Sequence, residues 1–344
     1  MSTPEAQAVY GSGITFTDAQ DLIPLPVASE IIGLIPQTSA AMAKFRRVTM
    51  SSRTLKQPVL GSLPVAYWVS GDTGLKQTTE MSWANVMLHA EELAVILPIP
   101  EAILDDSAFP LWDEARPWIA AAIAVALDQA VFAGIGTPAS WPTAIIPAAY
   151  AANRYVTIGS AATAGGLAED LNKVFTTVEG DNYDVNGIVA KRTVRGALRS
   201  ARDTTGQKLL DVSQNEIEGV GVTYVYNNVF PPHNATPPPP DAHLIAGDFS
   251  MGLLGVRQDI QWKLLDQAVI SDATGKVILN LAQQDSVAMR VVARFAFAVA
   301  NPVSTSGQVA GAYPFCTLVG ALPSVLEAEA EEEAPPSRSR KAAA

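Results

Sequence analysis

Between about residues 53 and 88 the chain is rich in Gly, Ser, Thr and Pro, yet it carries Tyr67, Trp68 and Trp83. Gly71-Asp72-Thr73-Gly74 supplies a turn in the middle, so the segment reads as a long β-hairpin. Few apolar residues lie near its tip, and a two-stranded hairpin barely supports itself in water. A floppy surface loop is the bland alternative. Two tryptophans and a tyrosine argue against it, because such large side chains stabilise mainly when something covers them. A hairpin of this composition needs a neighbour, which constrains the fold to one built for association. Arg53, Lys56, Tyr67, Trp68, Lys76, Glu80 and Trp83 are its candidate intersubunit contacts.

The remaining chain is ordinary for an ordered protein. Its 344 residues allow roughly one to three domains with a sizeable core. Hydrophobic residues make up 48% and charged residues 17%, which excludes a disordered chain. The net charge of −11 repels nucleic acid as a whole and argues against a high-affinity DNA reader. It suits a container wall whose inner face must not adhere to a packaged polyanion. Cys316 stands alone, so no intrachain disulfide forms, which fits a reducing cytosol. Its setting, Tyr313-Pro314-Phe315-Cys316-Thr317-Leu318-Val319, predicts a small buried hydrophobe rather than a reactive thiol. The N-terminus MSTPEAQAVYGSG has no basic head or apolar run of a signal peptide. The most apolar helical run, residues 118–127, is shorter than the ~20 residues a bilayer needs, so no membrane partner is expected.

Residues 1–20 read as an arm ordered only by docking. Leu22-Ile23-Pro24-Leu25-Pro26 is extended, and a short amphipathic helix follows over 27–34. Residues 46–50 and 55–60 read as strands. Residues 84–97 read as one long strand bent at Glu91-Glu92, ended by Pro98 and by Pro100 in the first turn of a short helix with Ile103 and Leu104. The longest helical pattern spans about 111–133, with Trp112, Ile119, Ile123, Leu127 and Val131 at helical spacing. Pro117 either kinks this helix or marks its true start, and Gly134 stops it. Such a helix is roughly 30 Å long, a spine for other elements.

From about 150 to 248 the pattern becomes a compact α/β subdomain. A helix carries Leu167, Leu171, Val174, Phe175 and Val178; a strand follows at 187–190, then a helix with Val194, Ala197 and Leu198, then a strand at 220–226. The proline-rich stretch 231–240 is a stiff surface loop. Strands return at 253–262, 277–281 and 287–299. From Glu327 the tail alternates acidic and then basic residues with little to bury, and reads as disordered.

Catalytic and metal signatures fail on inspection. His89, His233 and His243 match no zinc spacing. Gly134-Ile135-Gly136-Thr137-Pro138-Ala139 fits the dinucleotide fingerprint formally, but it closes a helix where a strand must precede and a helix follow. Gly275-Lys276 lacks the rest of a phosphate loop, and Ser250 is one place too late for a nucleophile elbow. Asp105-Asp106 leads toward the next helix rather than forming an acid–base pair. No enzyme, cofactor or metal is expected.

Five stretches, in order over about residues 14–302, resemble the tailed-bacteriophage major capsid protein family with the Hong Kong 97-type fold. They are residues 14–44; Leu88-His89-Ala90-Glu91-Glu92-Leu93-Ala94-Val95-Ile96-Leu97-Pro98-Ile99; and Leu127-Asp128-Gln129-Ala130-Val131-Phe132-Ala133-Gly134-Ile135-Gly136-Thr137 with Pro142-Thr143-Ala144-Ile145-Ile146. The last two are Gly247-Asp248-Phe249-Ser250 through Ile260, and Gln283-Gln284-Asp285-Ser286-Val287-Ala288-Met289-Arg290 through Pro302. The resemblance implies an α+β chain with an N-terminal arm (1–52), an extended-loop hairpin (53–90) and a peripheral domain with the spine helix (91–149). An axial domain (150–256), further peripheral strands (257–300), a return to the axial domain (301–326) and the charged tail (327–344) complete it.

It also implies pentamers and hexamers of this chain in an icosahedral head in the virion, assembled in a host cytoplasm around double-stranded DNA bound without sequence specificity. A portal, a separate scaffold protein and possible decoration proteins are the further partners. The resemblance starts near residue 14, which leaves no space for a cleaved N-terminal scaffolding domain, so little trimming is expected. An encapsulin-type nanocompartment shell shares the fold but holds protein cargo. A nucleotide-binding enzyme built on the axial subdomain is the rival from another class.

Overall fold

A computed structural model describes residues 39–62, 64, 66–69, 74–76, 78–107, 110–161, 165–200, 216–230, 241–272, 274–300 and 312–320. The expected extended segment and helix before residue 35, the turn at residues 71–73, the proline-rich loop and the charged tail lie outside these. The return segment is described only over residues 312–320.

The described chain begins with α1 (Ala40–Lys44), whose N-cap Ser39 accepts a hydrogen bond from the Met42 N–H at 3.1 Å. β1 (Arg46–Thr49) follows, then β2 (Thr54–Ser62) and β3 (Ser82–His89) of the hairpin, then β4 (Glu91–Pro100) and α2 (Glu101–Asp106). The expected single strand over 84–97 is therefore two. They part at Ala90, whose N–H goes to the Arg53 carbonyl at 2.8 Å and closes the hairpin base, while Glu91 starts a new pairing opposite Phe295. Pro98 does not end β4, because β4 is an edge strand and a missing N–H on an edge costs no ladder bond. Pro100 is the extended N-cap of α2 rather than part of its first turn.

The spine is α3 (Leu111–Asp128), continued by a π turn over Gln129–Ala133 and closed by Gly134 at φ 81°. Pro117 lies inside the helix and neither starts nor breaks it. The carbonyl it leaves without a donor belongs to Asp113, and both residues are exposed, so water can serve that group. Ile119, Ile123, Leu127 and Val131 are buried as their spacing predicted. The 23 residues Leu111–Ala133 are, by length and composition alone, apolar enough to span a membrane, contrary to the shorter run read from the sequence. Half of its most apolar stretch is buried inside the protein's own core, as in a core helix.

Next come α4 (Ile145–Ala151), β5 (Tyr155–Thr157), α5 (Gly166–Gly180), β6 (Gly187–Lys191), α6 (Arg192–Ser200), β7 (Glu216–Ile217), β8 (Val220–Val225) and β9 (Ala242–Gly247). The chain then runs through β10 (Gly252–Leu265), β11 (Val269–Ser271), β12 (Val277–Asn280), β13 (Ser286–Val299) and β14 (Phe315–Val319). Four strands form one sheet in the order β1-β10-β13-β4, and six form another in the order β5-β14-β9-β6-β8-β7. The pairs β2-β3 and β11-β12 are separate ribbons.

The crossing between the two sheets falls at the short turn Phe249–Met251, and β10 starts at Gly252, one residue before the strand expected at 253–262. Gly252 is required there: a Cβ would lie 2.4 Å from the Phe45 ring. The strand read at residues 46–50 is β1, and it pairs in parallel with β10. Phe45 joins everything. Its ring centroid lies 5.6 Å from Phe132 on the spine, 5.7 Å from Phe249 and 6.0 Å from Phe297 on the four-stranded sheet, and 6.4 Å from Phe315 on the six-stranded sheet. Each such aromatic contact adds about 0.5–1.5 kcal/mol beyond simple burial.

A second core lies under α5, where Leu167, Leu171, Val174, Phe175 and Val178 are all buried against the six-stranded sheet. Cys316 sits in this core, fully buried in β14, and burial pushes its thiol up to about 12. A thiolate is the reactive form, so a disulfide reagent at neutral pH should label Cys316 only when the subunit unfolds. Spectrophotometric titration of native and urea-unfolded subunit checks this; one equivalent of fast reaction in the native state contradicts it.

Candidate assembly surface

The hairpin is anchored at its base and bare toward its tip. Thr54 pairs with His89 and the ladder runs to Leu60 opposite Trp83, then shifts to Ser62 opposite Ser82. Nine residues of β2 span about 30 Å. At the base Leu88 is buried with Met50, Ala90, Leu253 and Ala296. Trp141 Nε1 donates to the His89 carbonyl at 2.9 Å. Arg53 pairs with Glu91 at 3.1 Å, and Ser140 Oγ donates to the same carboxylate at 2.8 Å. These two partners, Ser140 first, hold the Glu91 carboxyl below its usual range.

Beyond the base the burial stops. Trp83 is 65% exposed, Leu75 90% and Trp68 wholly exposed, with Tyr67, Met81 and Met87 also on the surface. Of the seven candidate contacts, Arg53 braces its own chain's Glu91, while Lys56, Tyr67, Trp68, Lys76, Glu80 and Trp83 all face outward on the hairpin. Leu75, Met81 and Met87 extend that apolar surface and were missed; their exposure becomes evident only once the strand register is known.

A second surface went unread: the face of the four-stranded sheet turned away from the spine. Met289, Val291, Ala293 and Phe295 point into the core, which turns Arg290, Val292 and Arg294 outward. Across the strands, Arg294 stands between Glu92 and Gln258, and Arg290 between Ile96 and Lys263. Arg294 pairs with Glu92 at 2.7 Å, and Gln258 donates to Gln261 at 2.7 Å. Lys263 and Arg290 make no ion pair among the described residues, and Ile96 beside Arg290 is exposed.

Among the described residues no three His, Cys, Asp or Glu side chains converge as metal ligands. Gly134 and Gly136 close the spine at φ 81° and 66°, and Asp248 caps the short turn by accepting from the Ser250 N–H at 3.0 Å.

An arm-linked spine helix, a projecting hairpin and two sheets fused through one aromatic core together make the Hong Kong 97-type α+β capsid fold. The chain belongs to the phage capsid family, whose model matches residues 19–304. A solved structure from Microbacterium phage Oxtober96 is 37% identical with a TM-score of 0.75, covering 90% of this chain and 99% of that one. One from Mycobacterium phage Bobi is 31% identical with a TM-score of 0.74, covering 90% and 100%. The curated major capsid protein of Staphylococcus phage 80alpha is 25% identical over 242 residues, 69% of each chain.

Proposed function

We propose that this tailed-phage major capsid protein closes an icosahedral head, as pentamers and hexamers, by laying its β2–β3 hairpin over a neighbouring copy, with no catalytic step. One observation carries the reading: a single subunit leaves Trp68, Leu75 and Trp83 uncovered along a hairpin that has no core of its own. Individually weak contacts then gain strength from closure of the symmetric shell.

In this reading the spine helix and the four-stranded sheet form the peripheral domain. The six-stranded sheet forms the axial domain facing the five- and six-fold axes. The enclosed genome is double-stranded DNA held without sequence recognition, in keeping with a net charge of −11. A scaffold, a portal and decoration proteins are the further partners, and assembly takes place in the host cytoplasm. Family membership supports these assignments.

Trp83→Ala and Trp68→Ala test the hairpin's role. Buried interfacial tryptophans typically contribute 2 kcal/mol or more, so each variant should cut particle yield by about tenfold or more. The dissociated subunit should keep its circular dichroism and melting midpoint. Normal particle yield on gradients, or loss of the free subunit's fold, sinks the reading.

A further inference from the structure

We infer that the acidic run 327–333 of the C-terminal tail docks on the arginine face of α6 in its own subunit, shielding that face from nucleic-acid phosphate. The inference does not depend on the hairpin reading. α6 buries Val194, Ala197 and Leu198 in the second core, and helical spacing puts Arg192, Arg195 and Arg199 on the opposite side. Arg192 and Arg195 lie over the rings of Tyr226 and Tyr224, at 4.3 and 5.3 Å. Neither makes an ion pair among the described residues, and Arg195 Nε finds no acceptor there. The other described cations around the six-stranded sheet are engaged or hidden: Arg154 pairs with Asp181, Lys173 with Asp170, and Lys191 is buried. A strip of positive charge therefore stands on a chain whose net charge is −11.

Topology brings the counter-charge to this strip. β6 and β14 both pair antiparallel with β9, and Ala190 and Leu318 flank the same residue, Leu244. Two strand spacings separate them, roughly 10 Å. Just past Ala190, α6 begins at Arg192; just past Leu318, Gly320 is fixed by its N–H to the Asp241 carbonyl at 3.1 Å. Glu327 comes seven residues after Gly320, a reach of up to ~24 Å, while α6 is about 13 Å long. Glu327, Glu329, Glu331, Glu332 and Glu333 outnumber the tail's own cations Arg338, Arg340 and Lys341, so carboxylates remain for α6. Nucleic-acid phosphate would seek the same arginines, and a covered face lowers that non-specific affinity.

A mutant cycle on the dissociated full-length subunit tests the cover, read as the anisotropy of a fluorescent DNA duplex at low salt. Changing the five tail glutamates to Gln should tighten binding by about tenfold and steepen its salt dependence by about two released ions, since the arginines are uncovered. Arg192→Gln with Arg199→Gln should alter the parent's affinity by less than about twofold, because the tail already occupies that face. In this arginine-depleted background the five glutamine changes should gain less than about threefold. Carbodiimide treatment of an Arg192→Lys subunit should yield a peptide pair joining position 192 to a tail glutamate.

An equal gain in both backgrounds overturns the docking, since loss of bulk negative charge alone would produce it. A tenfold loss of DNA affinity on removing the two arginines from the parent also overturns it, because the face would then stand open to phosphate. Absence of any cross-link at position 192 removes the contact itself. In mixtures of isotope-labelled and unlabelled subunits, cross-links that join the two labels would move the tail to a neighbouring copy and overturn the own-subunit assignment.

Discussion

Asp128→Ala is expected to lower the stability of the dissociated subunit by about 3 kcal/mol, a large fraction of what a domain possesses. Asp128 is fully buried at the point where the spine passes from α helix into its π turn. Its carboxylate accepts from Ser39 Oγ at 2.6 Å, Ala40 N–H at 2.9 Å and Ala41 N–H at 3.1 Å. The last two are donors at the start of α1 that the helix itself cannot satisfy. Alanine leaves three buried donors without this acceptor, each costing roughly 1 kcal/mol or more, and opens a small void.

Because the same residue ties the end of the arm to the spine, the variant should also reduce particle yield. Urea unfolding should show a lower midpoint with an unchanged slope. A loss below about 1 kcal/mol would mean that the arm end is held by its other contacts. Asp128→Asn keeps one acceptor oxygen and should lie between parent and alanine.

Denaturing electrophoresis of boiled mature heads should give one band near the 36.3 kDa monomer. Some members of the family join an extended-loop lysine to an asparagine of a neighbour's peripheral domain, which needs a nearby carboxylate base in a mostly apolar pocket. Donor lysines exist at Lys56 and Lys76, both exposed on the hairpin. The base is what the outward face fails to supply. β13 offers Arg290 and Arg294 there, and the neighbouring Glu92 is half exposed and locked to Arg294. Without a desolvated carboxylate the lysine stays a protonated ammonium and cannot attack. The shell then relies on noncovalent hairpin and arm contacts. A ladder of species too large to enter the gel would show that a base is delivered from elsewhere in the assembly.

Local patterns, by themselves, determined the longest helices and several of the strands. The apolar positions of α5 and the spine repeat at helical spacing, and each packs where that spacing points. Alternation in β13 turns two arginines outward, and the uncovered tryptophans of residues 53–88 announce a hairpin that needs a partner. Those signals are short-range, so a single sequence carries them.

Only the tertiary structure decided how distant segments share their bonds. Ala90 divides one expected strand into two because its N–H is claimed by Arg53, a partner that pattern alone does not reveal. β1 joins a sheet with β10, far along the chain, and Gly252 marks the crossing because the Phe45 ring occupies the space a Cβ would fill. Lys263 meets Arg290 only after β10 shifts register between Val256 and Gln261, which simple alternation does not anticipate. Asp128 looks like one more polar residue on a helix. It becomes a cap for α1 because folding brings segments nearly ninety positions apart into contact, and hydrogen bonds across such distances leave no periodic trace in sequence.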